Sequence, residues 1–486
     1  MAKRVAVIDI GSNSIRMVIY EKTSRFAFHL LHEAKSKVRI SENAYKNNGN
    51  LQEIPMQRTF DTLEGFINIA ASFKARKTLC VATSALRDAP NQKYFLDKVK
   101  THLKLNMRII DGQQEAYYGA IACANLLPEQ SNALSIDIGG GSTEFSIING
   151  KNVTNTISIA LGTVRLKELF FDKRKIKEAV VYIDKKLEAL DNLNPSEIIG
   201  IGGTFRAIST AVMQKKKYPL DKIHGFECSN TDFKKFITSV LKANEAKLKK
   251  LGIKSDRFDV IKPGALILER VLNKLTINKL ISSGVGVREG VFLADLLRNS
   301  KDKFPANYNT SVKYLLDSYI SESSYSNQLS ALNKKLFDLT YKHLGINSAY
   351  RYELAIAAKL YPIGSNIHFY SNHKHSYYIL QNALEYGFTH SQIMLIATLS
   401  KYAKYKLPSS SHINEYSILL PDNNTIESLS YLLSLSIALL SHRPLNIDFE
   451  LSFSEGVLNI KSDKTLYLSR EAVNKLNTIN NLQVEF

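Results

Sequence analysis

The chain has 486 residues with 44% hydrophobic composition, which excludes disordered and fibrous classes and allows about two to four domains with substantial cores. Its longest apolar stretches, such as Ser430 to Ser441, are broken by serines and fall short of the roughly 20 apolar residues that a spanning helix needs, so no membrane insertion is expected. The formal charge of +19 is uneven: residues 1–150 carry 19 basic and 14 acidic groups (+5), 151–310 carry 30 and 17 (+13), and 311–486 carry 15 and 14 (+1), so the middle third is the part that attracts polyanions.

Between Arg4 and Lys22 the runs VAVIDI and IRMVIY flank the small polar turn GSNS, which predicts a strand, a tight loop and a second strand. Helix-length periodic segments then alternate with short apolar runs: a helix near 55–75, a strand from Thr78 to Thr83, a helix near 92–103, a strand from Met107 to Ile110 and a helix near 112–127. At Leu134 the opening phrase returns as LSIDIGGGSTEFSII, and Asp9-Ile10-Gly11-x-x-Ser14 aligns without a gap on Asp137-Ile138-Gly139-x-x-Ser142. There follow EIIGIGGT (197–204), a lysine-rich helical stretch near 231–250, a helix near 258–275, a strand from Lys279 to Val285 and a helix opening at Val287. This grammar is α/β, with two similar domains that each begin with strand, loop and strand. The polar stretch 299–311, which carries Pro305, leads to a mostly helical part, with apolar spacing in Tyr350 to Leu360, Ser376 to Leu384 and Thr425 to Leu440. Residues 447–468 alternate, turn at Glu455-Gly456 and run into a short helix near Arg470, a small α+β end. Domains are expected at 1–127, 128–304 and 305–486.

A turn rich in Gly and Ser after a buried strand can present several backbone N–H groups to one anion, because glycine permits close approach and serine adds a hydroxyl donor. Gly11-Ser12-Asn13-Ser14 and Gly139-Gly140-Gly141-Ser142-Thr143 share this make-up. A single such loop is commonplace, whereas two arising from a repeat, each preceded by an aspartate, point to a phosphate-chain site between two domains. Asp9 and Asp137 then flank the cleft, where a hard cation would neutralise the crowded charge, and magnesium is the expected cofactor. Glu144 reads either as a third acid of that site or as a surface-strand residue, and Arg87, in ATSALRDA, either as a bidentate phosphate contact or as half of a salt bridge. Glu115 lies in the first turn of the helix that Asp111 and Gln114 open in a capping-box pattern, and from the residues alone it serves the helix N-terminus.

Gly200 to Arg206, with Gly203 and Thr204, is a further glycine-rich strand-to-helix turn suited to a phosphate or a nucleoside, and Ser283 to Gly290 has the same form; close strand-to-helix packing selects glycine as well. In Asn372-His373-Lys374-His375 the histidines point in nearly opposite directions if helical, so a structural or phosphate-facing role is expected rather than a metal site. Cys80, Cys123 and Cys228 are far apart, lack a CxxC and read as reduced core fillers. Lys3 and Arg4 precede only Val5 to Ile8 before Asp9 interrupts, too short a run for a signal peptide, so the cytoplasm is the expected location.

In this order, VAVIDIGSNSIRMVIY, ATSALR, GQQEA, IDIGGGSTEF, IGGTFRA and SGVGVREG strongly resemble the exopolyphosphatase and guanosine pentaphosphate phosphohydrolase family over about residues 3–300. The resemblance implies two actin-like (ribonuclease H-like) domains with a phosphate-binding cleft between them. It also implies magnesium-dependent hydrolysis of the terminal phosphate of inorganic polyphosphate, or of the 5′ terminal phosphate of guanosine pentaphosphate, a stringent-response nucleotide. By this resemblance the catalytic glutamate is Glu115, against the reading from the residues alone, and the magnesium and phosphate residues are Asp137, Glu144, the two loops and Arg87. The family often shows two acids in the GxEEA position, where this chain has Gln114 before Glu115. The C-terminal part resembles the HD-domain-like helical module of longer members, centred on residues 354–385. Tyr361-Pro362 stands where those members can carry a His-acid pair, and no His follows near Lys401, so the module is expected to support binding or dimerisation in a homodimer.

The expected activity is phosphoanhydride hydrolysis: water attacks, Glu115 is the general base, magnesium sits on Asp137, Glu144 and Asp9, and loop amides with Arg87 hold the phosphates. Two other readings stay open. One is an ATP-dependent kinase or ATPase of the same superfamily, for which GIGGTFRA is the candidate adenosine loop. The other is a non-enzymatic polyphosphate- or nucleic-acid-binding protein using the basic middle third; an intact Glu115 and paired loops weigh against it, and nucleic acid is not the expected physiological partner.

Overall fold

The expected N-terminal strand, loop and strand are β1 (Lys3–Ile10) and β2 (Ile15–Lys22) in a computed structural model that describes residues 3–403 and 407–486. An antiparallel β3 (Phe28–Ser36) follows, which has no counterpart in the sequence expectation because His29, His32 and Glu33 interrupt its apolar residues. β4 (Lys77–Ala82) lies parallel to β1 and β5 (Met107–Ile109) parallel to β4, giving the order β3-β2-β1-β4-β5. Helices α1 (Glu53–Ser72), α2 (Ser84–Arg87) and α3 (Gln92–Leu103) supply Met56, Leu63, Leu86 and Phe95 to a core with Ile8, Ile10 and Ile15 of the sheet. The helix α4 (Gly112–Leu126) opens on an Asp111 side chain that accepts from the Gln114 N–H at 2.7 Å.

The second sheet is built from β6 (Ala133–Ile138), β7 (Thr143–Asn149), β8 (Asn152–Ile159), β9 (Glu197–Ile201), β10 (Glu227–Ser229) and β11 (Lys279–Ser282), in the order β10-β11-β9-β6-β7-β8. Leaving out the edge strand β10, the run β8-β7-β6-β9-β11 repeats the order of the first sheet, so the duplication read in the loop motif extends to topology. Around this sheet lie α5 (Thr163–Leu166), α6 (Ile176–Leu187), α7 (Gly202–Lys215), α8 (Asn230–Lys242), α9 (Glu245–Lys250), α10 (Phe258–Lys274) and α11 (Val287–Leu296). The lysine-rich stretch is two helices rather than one, because Asn244 leaves the helix and caps α9 by accepting from the Lys247 N–H at 2.9 Å. Phe145, Ile198, Phe205, Phe233 and Leu268 centre a second core, separate from the first. The helices α4 and α11 tie the two lobes together at van der Waals distance: a Cβ on Gly290 would lie 1.9 Å from the Tyr118 carbonyl oxygen, so only glycine permits this crossing.

Both sheets belong to one compact unit, Met1–Tyr308, and Asn309–Phe486 forms another. The second is helical, with α12 (Thr310–Tyr319), α13 (Ser324–Thr340), α14 (Arg351–Leu360), α15 (Asn372–Ala383), α16 (His390–Tyr402), α17 (Ser410–Glu415) and α18 (Asn423–Leu439). Buried serines on α18 do not break it, since hydroxyls such as Ser434 Oγ donate to the preceding turn, here to the Ser430 carbonyl at 2.9 Å. The α+β end holds β12 (Glu450–Ser454), β13 (Val457–Lys461), α19 (Tyr467–Val473) and β14 (Gln483–Glu485). Its expected turn has φ of 51° at Glu455 and 84° at Gly456, the pair of positive angles that a two-residue hairpin requires. His373 and His375 lie in the first turn of α15, and Cys80, Cys123 and Cys228 are all buried free thiols. Among the described residues no helix is long and apolar enough to cross a membrane.

Candidate active site

The duplicated hairpins bring their loops together. In each, a glycine N–H closes the turn on a serine carbonyl, Gly11 to Ser14 at 3.2 Å and Gly139 to Ser142 at 3.0 Å. A Cβ on Gly140 would lie 2.7 Å from Ser12 Cβ, and one on Gly141 would lie 2.7 Å from Ser84 Oγ, so the second loop fits the first only as glycine. The Gly139 and Gly140 carbonyls accept from the Thr163 and Val164 N–H groups of α5 at 3.0 and 2.9 Å. Since N–H and C=O of a trans peptide point in opposite directions, the Gly140 and Gly141 amides face away from α5, as an anion-binding loop needs.

Strand register fixes the acids. Asp9 is opposite Arg16 across β1 and β2, and Asp137 is opposite Glu144 across β6 and β7, with Ser158 of β8 next in the row. A cavity of about 170 Å³ between the lobes is lined by Asp9, Glu115, Asp137 and Glu144 on its acidic side. Arg16, Arg206 and Arg288 line it too, and Lys35, Lys37 and Arg257 extend its basic wall. Burial raises all four acids. Glu115 is pushed up to about 8 by burial, with Arg87 opposing and Asp9 and Asp137 adding to the rise. Burial and the adjacent Glu115 hold Glu144 well above the usual carboxylate range, although hydroxyls of Ser142 and Ser158 favour its charged form. Asp137 is raised to about 6 by burial, against the pull of Arg206, and Asp9 is raised by burial against Arg288 and Arg16. On the basic side burial and then the neighbouring Arg288 and Arg206 lower Arg16 to about 10, and burial lowers Lys35, Arg206 and Arg257.

Of the residues expected to contact phosphate, Gly11, Ser12, Asn13, Ser14, Gly139, Gly140, Gly203 and Thr204 line this cavity. Gly141, Ser142 and Thr143 do not: the Ser142 hydroxyl bonds to Glu144, and the Thr143 hydroxyl donates to the Leu161 carbonyl. Arg87 also lies off the cavity, because its Nη1 donates to Glu115 Oε2 at 3.0 Å and to the Ile110 carbonyl at 3.1 Å. The basic wall is what sequence reasoning missed. Arg16 occupies the repeat position of Glu144, and Arg206 and Arg288 each follow a glycine-rich turn, so these had a signal; Lys35, Lys37 and Arg257 had none. Arg206 fastens one of those turns, its Nε donating to the Ser283 carbonyl at 2.7 Å and Nη2 to Val285 at 3.0 Å.

Among the described residues no three His, Cys, Asp or Glu side chains form a ready metal cage. The donor set suits a different kind of cation site. Asp137 and Glu144 are paired carboxylates whose ionisation burial opposes, and magnesium is commonly held by one or two carboxylates with the remaining positions taken by water and substrate phosphates. In the helical unit, Lys401 lacks a histidine beside it in sequence but meets His412 Nδ1 at 3.1 Å, and burial with Lys401 holds His412 down at about 4, so an ammonium stands against that imidazole.

Two actin-like lobes closing on duplicated glycine-serine loops define a phosphate-handling protein of the actin-like superfamily. The chain belongs to the Ppx/GppA phosphatase family, whose sequence pattern matches residues 18–299, while that of domain III of the same family matches 309–482. It is similar to the bifunctional 3-dehydroquinate synthase/phosphatase of Fusobacterium nucleatum, 31% identical over 288 residues that make up 55% of this chain and 43% of that protein. It is also similar to a guanosine-5′-triphosphate,3′-diphosphate pyrophosphatase of Vibrio atlanticus, 26% identical over 479 residues, 94% of this chain and 92% of the relative. Among solved structures, an exopolyphosphatase from Cytophaga hutchinsonii superposes with a TM-score of 0.57 at 26% identity, covering 62% of this chain and all of that one.

Proposed function

We propose that the chain hydrolyses the terminal phosphoanhydride of inorganic polyphosphate, or removes the 5′ terminal phosphate of guanosine pentaphosphate, in the cavity between its lobes. The observation that carries this reading is the buried Glu115 carboxyl, raised to about 8, in a cavity walled by two anion loops and clustered arginines. Burial makes the ionised Glu115 a stronger base than an exposed carboxylate, the Arg87 guanidinium favours that ionised form, and in it Glu115 takes the proton from the attacking water. Arg87 orients it through the 3.0 Å bond and so acts on the base rather than on the phosphates. The amides of the two loops hold the terminal phosphate, and Arg16, Arg206 and Arg288 take its neighbours, an anion relieving the mutual repulsion that lowers Arg16. Asp137 and Glu144 would hold magnesium, which when bound stabilises charge on the phosphoryl oxygens. Lys35, Lys37 and Arg257 continue the path for the rest of a phosphate chain.

The names of the Vibrio and Cytophaga relatives supply the two candidate substrates. Phosphate release from long polyphosphate, guanosine pentaphosphate and ATP, each with and without magnesium, tests the reading. Magnesium-dependent release from one or both of the first two, with little from ATP, is expected. Turnover of ATP alone contradicts it.

A further inference from the structure

We propose that Asp88 and Arg165 are positioning residues that couple the Gly139–Ser142 phosphate loop of one lobe to Glu115 of the other, through Arg87. The inference rests on the reading of Glu115 as the base. Arg165 belongs to α5 and grips the loop twice, its backbone N–H reaching the Gly140 carbonyl at 3.1 Å and its Nε the Gly141 carbonyl at 2.9 Å. Its Nη2 crosses to the first lobe and donates to Asp88 Oδ2 at 3.1 Å. The other Asp88 oxygen lies 3.6 Å from Arg87 Nε, and Arg87 Nη1 donates to Glu115 Oε2 at 3.0 Å. Four side chains of alternating charge thus join the loop to the base, and of these only Glu115 lines the cavity.

The chain of contacts spans the lobes and would break if they separated, because Arg165 comes from one and Asp88 from the other. The Arg165 guanidinium also lies 4.5 Å from the centre of the Tyr45 ring, and a Cβ on Gly141 would come within 2.5 Å of the Tyr45 hydroxyl, so the loop, the arginine and the first lobe form one packed contact. Its two ends differ in exposure. The Asp88 side chain is 43% exposed and that of Glu115 11%, so water screens the Asp88 end more than the Glu115 end. Closure on a phosphate therefore completes the set of charges that fixes the Arg87 guanidinium and, through it, the direction of the Glu115 carboxylate.

The test is a double-mutant cycle on single-turnover phosphate release, with melting temperatures measured on the same preparations. Asp88→Asn should lower the rate on the order of tenfold in the wild-type background with KM nearly unchanged, and should have no further effect in Glu115→Gln. Arg165→Gln, which also releases Gly141, should combine less than additively with Asp88→Asn. Equal losses from Asp88→Asn in both backgrounds, or no loss in the wild type, overturn the proposal, as does a loss matched by a fall in melting temperature. Near-wild-type turnover by Glu115→Gln alone is read first; it would remove the base assignment, and the coupling to it along with it.

Discussion

Glu144 stands directly opposite Asp137 across the second hairpin, at the position that Arg16 holds opposite Asp9 in the first. The duplicated hairpins have diverged in charge, and one of them now carries two facing carboxylates. Asp137→Asn removes one negative charge at constant volume, so activity should fall and the magnesium requirement should rise. Because burial already raises Asp137 to about 6, the variant should melt no lower than wild type. A magnesium titration of phosphate release checks this; an unchanged requirement in a folded variant would leave Asp137 as a loop cap.

Gly140→Ala places a methyl 2.7 Å from Ser12 Cβ and 3.3 Å from Val164 Cγ2, where the two loops meet. The lobes must move apart to admit it. A stability loss of about 1–3 kcal/mol and a raised KM are expected from thermal melts and steady-state kinetics. Wild-type KM would show that the loops need not touch for substrate to bind.

Proton linkage gives a direction for stability. Glu115 rises from 4.5 to about 8 and Asp137 from 3.8 to about 6 on folding, so the folded chain binds more protons than the unfolded one between those values. Their contribution is fully present below about pH 4 and is lost as pH rises through about 6 and then about 8. Melts of the metal-free protein should therefore show Glu115→Gln gaining on wild type from about pH 5 to about pH 8. If wild type gains on the variant across that window, Glu115 is not raised.

The basic wall draws Lys35 and Lys37 from the first lobe and Arg257 from the second, and the chain just before Arg257 carries Lys247, Lys249, Lys250 and Lys254, for which no ion-pair partner is found within 4.0 Å among the described residues. If a long substrate runs along them, each contact releases counterions, and binding of long polyphosphate should weaken with salt more steeply than binding of guanosine pentaphosphate. Equal slopes would assign these lysines to solvated surface.

Both loops and the two-lobe architecture were legible because a repeat raises the information in an otherwise ordinary turn: Asp9-Ile10-Gly11 returns as Asp137-Ile138-Gly139. Strands β3 and β8 escaped since polar residues such as Glu33 and Asn155 break their apolar runs, leaving no bounded β segment. The partner of Arg87 could not be read, because a strand-end arginine has the same local sequence whether it faces a phosphate or a carboxylate. Lys35, Lys37 and Arg257 reach the cavity only through contact between lobes, as when Lys37 Nζ donates to the Asp256 carbonyl at 2.7 Å, and no local pattern encodes that.

The central claim is that Glu115 is the proton acceptor. Glu115→Gln keeps its size and its bond from Arg87 but cannot take a proton at neutral pH, and the loops and arginines that hold the phosphates are untouched. Single-turnover phosphate release should fall by about 10²–10⁴-fold with substrate affinity equal or tighter. Turnover near the wild-type rate in this variant would contradict the account, whichever substrate proved to be the right one.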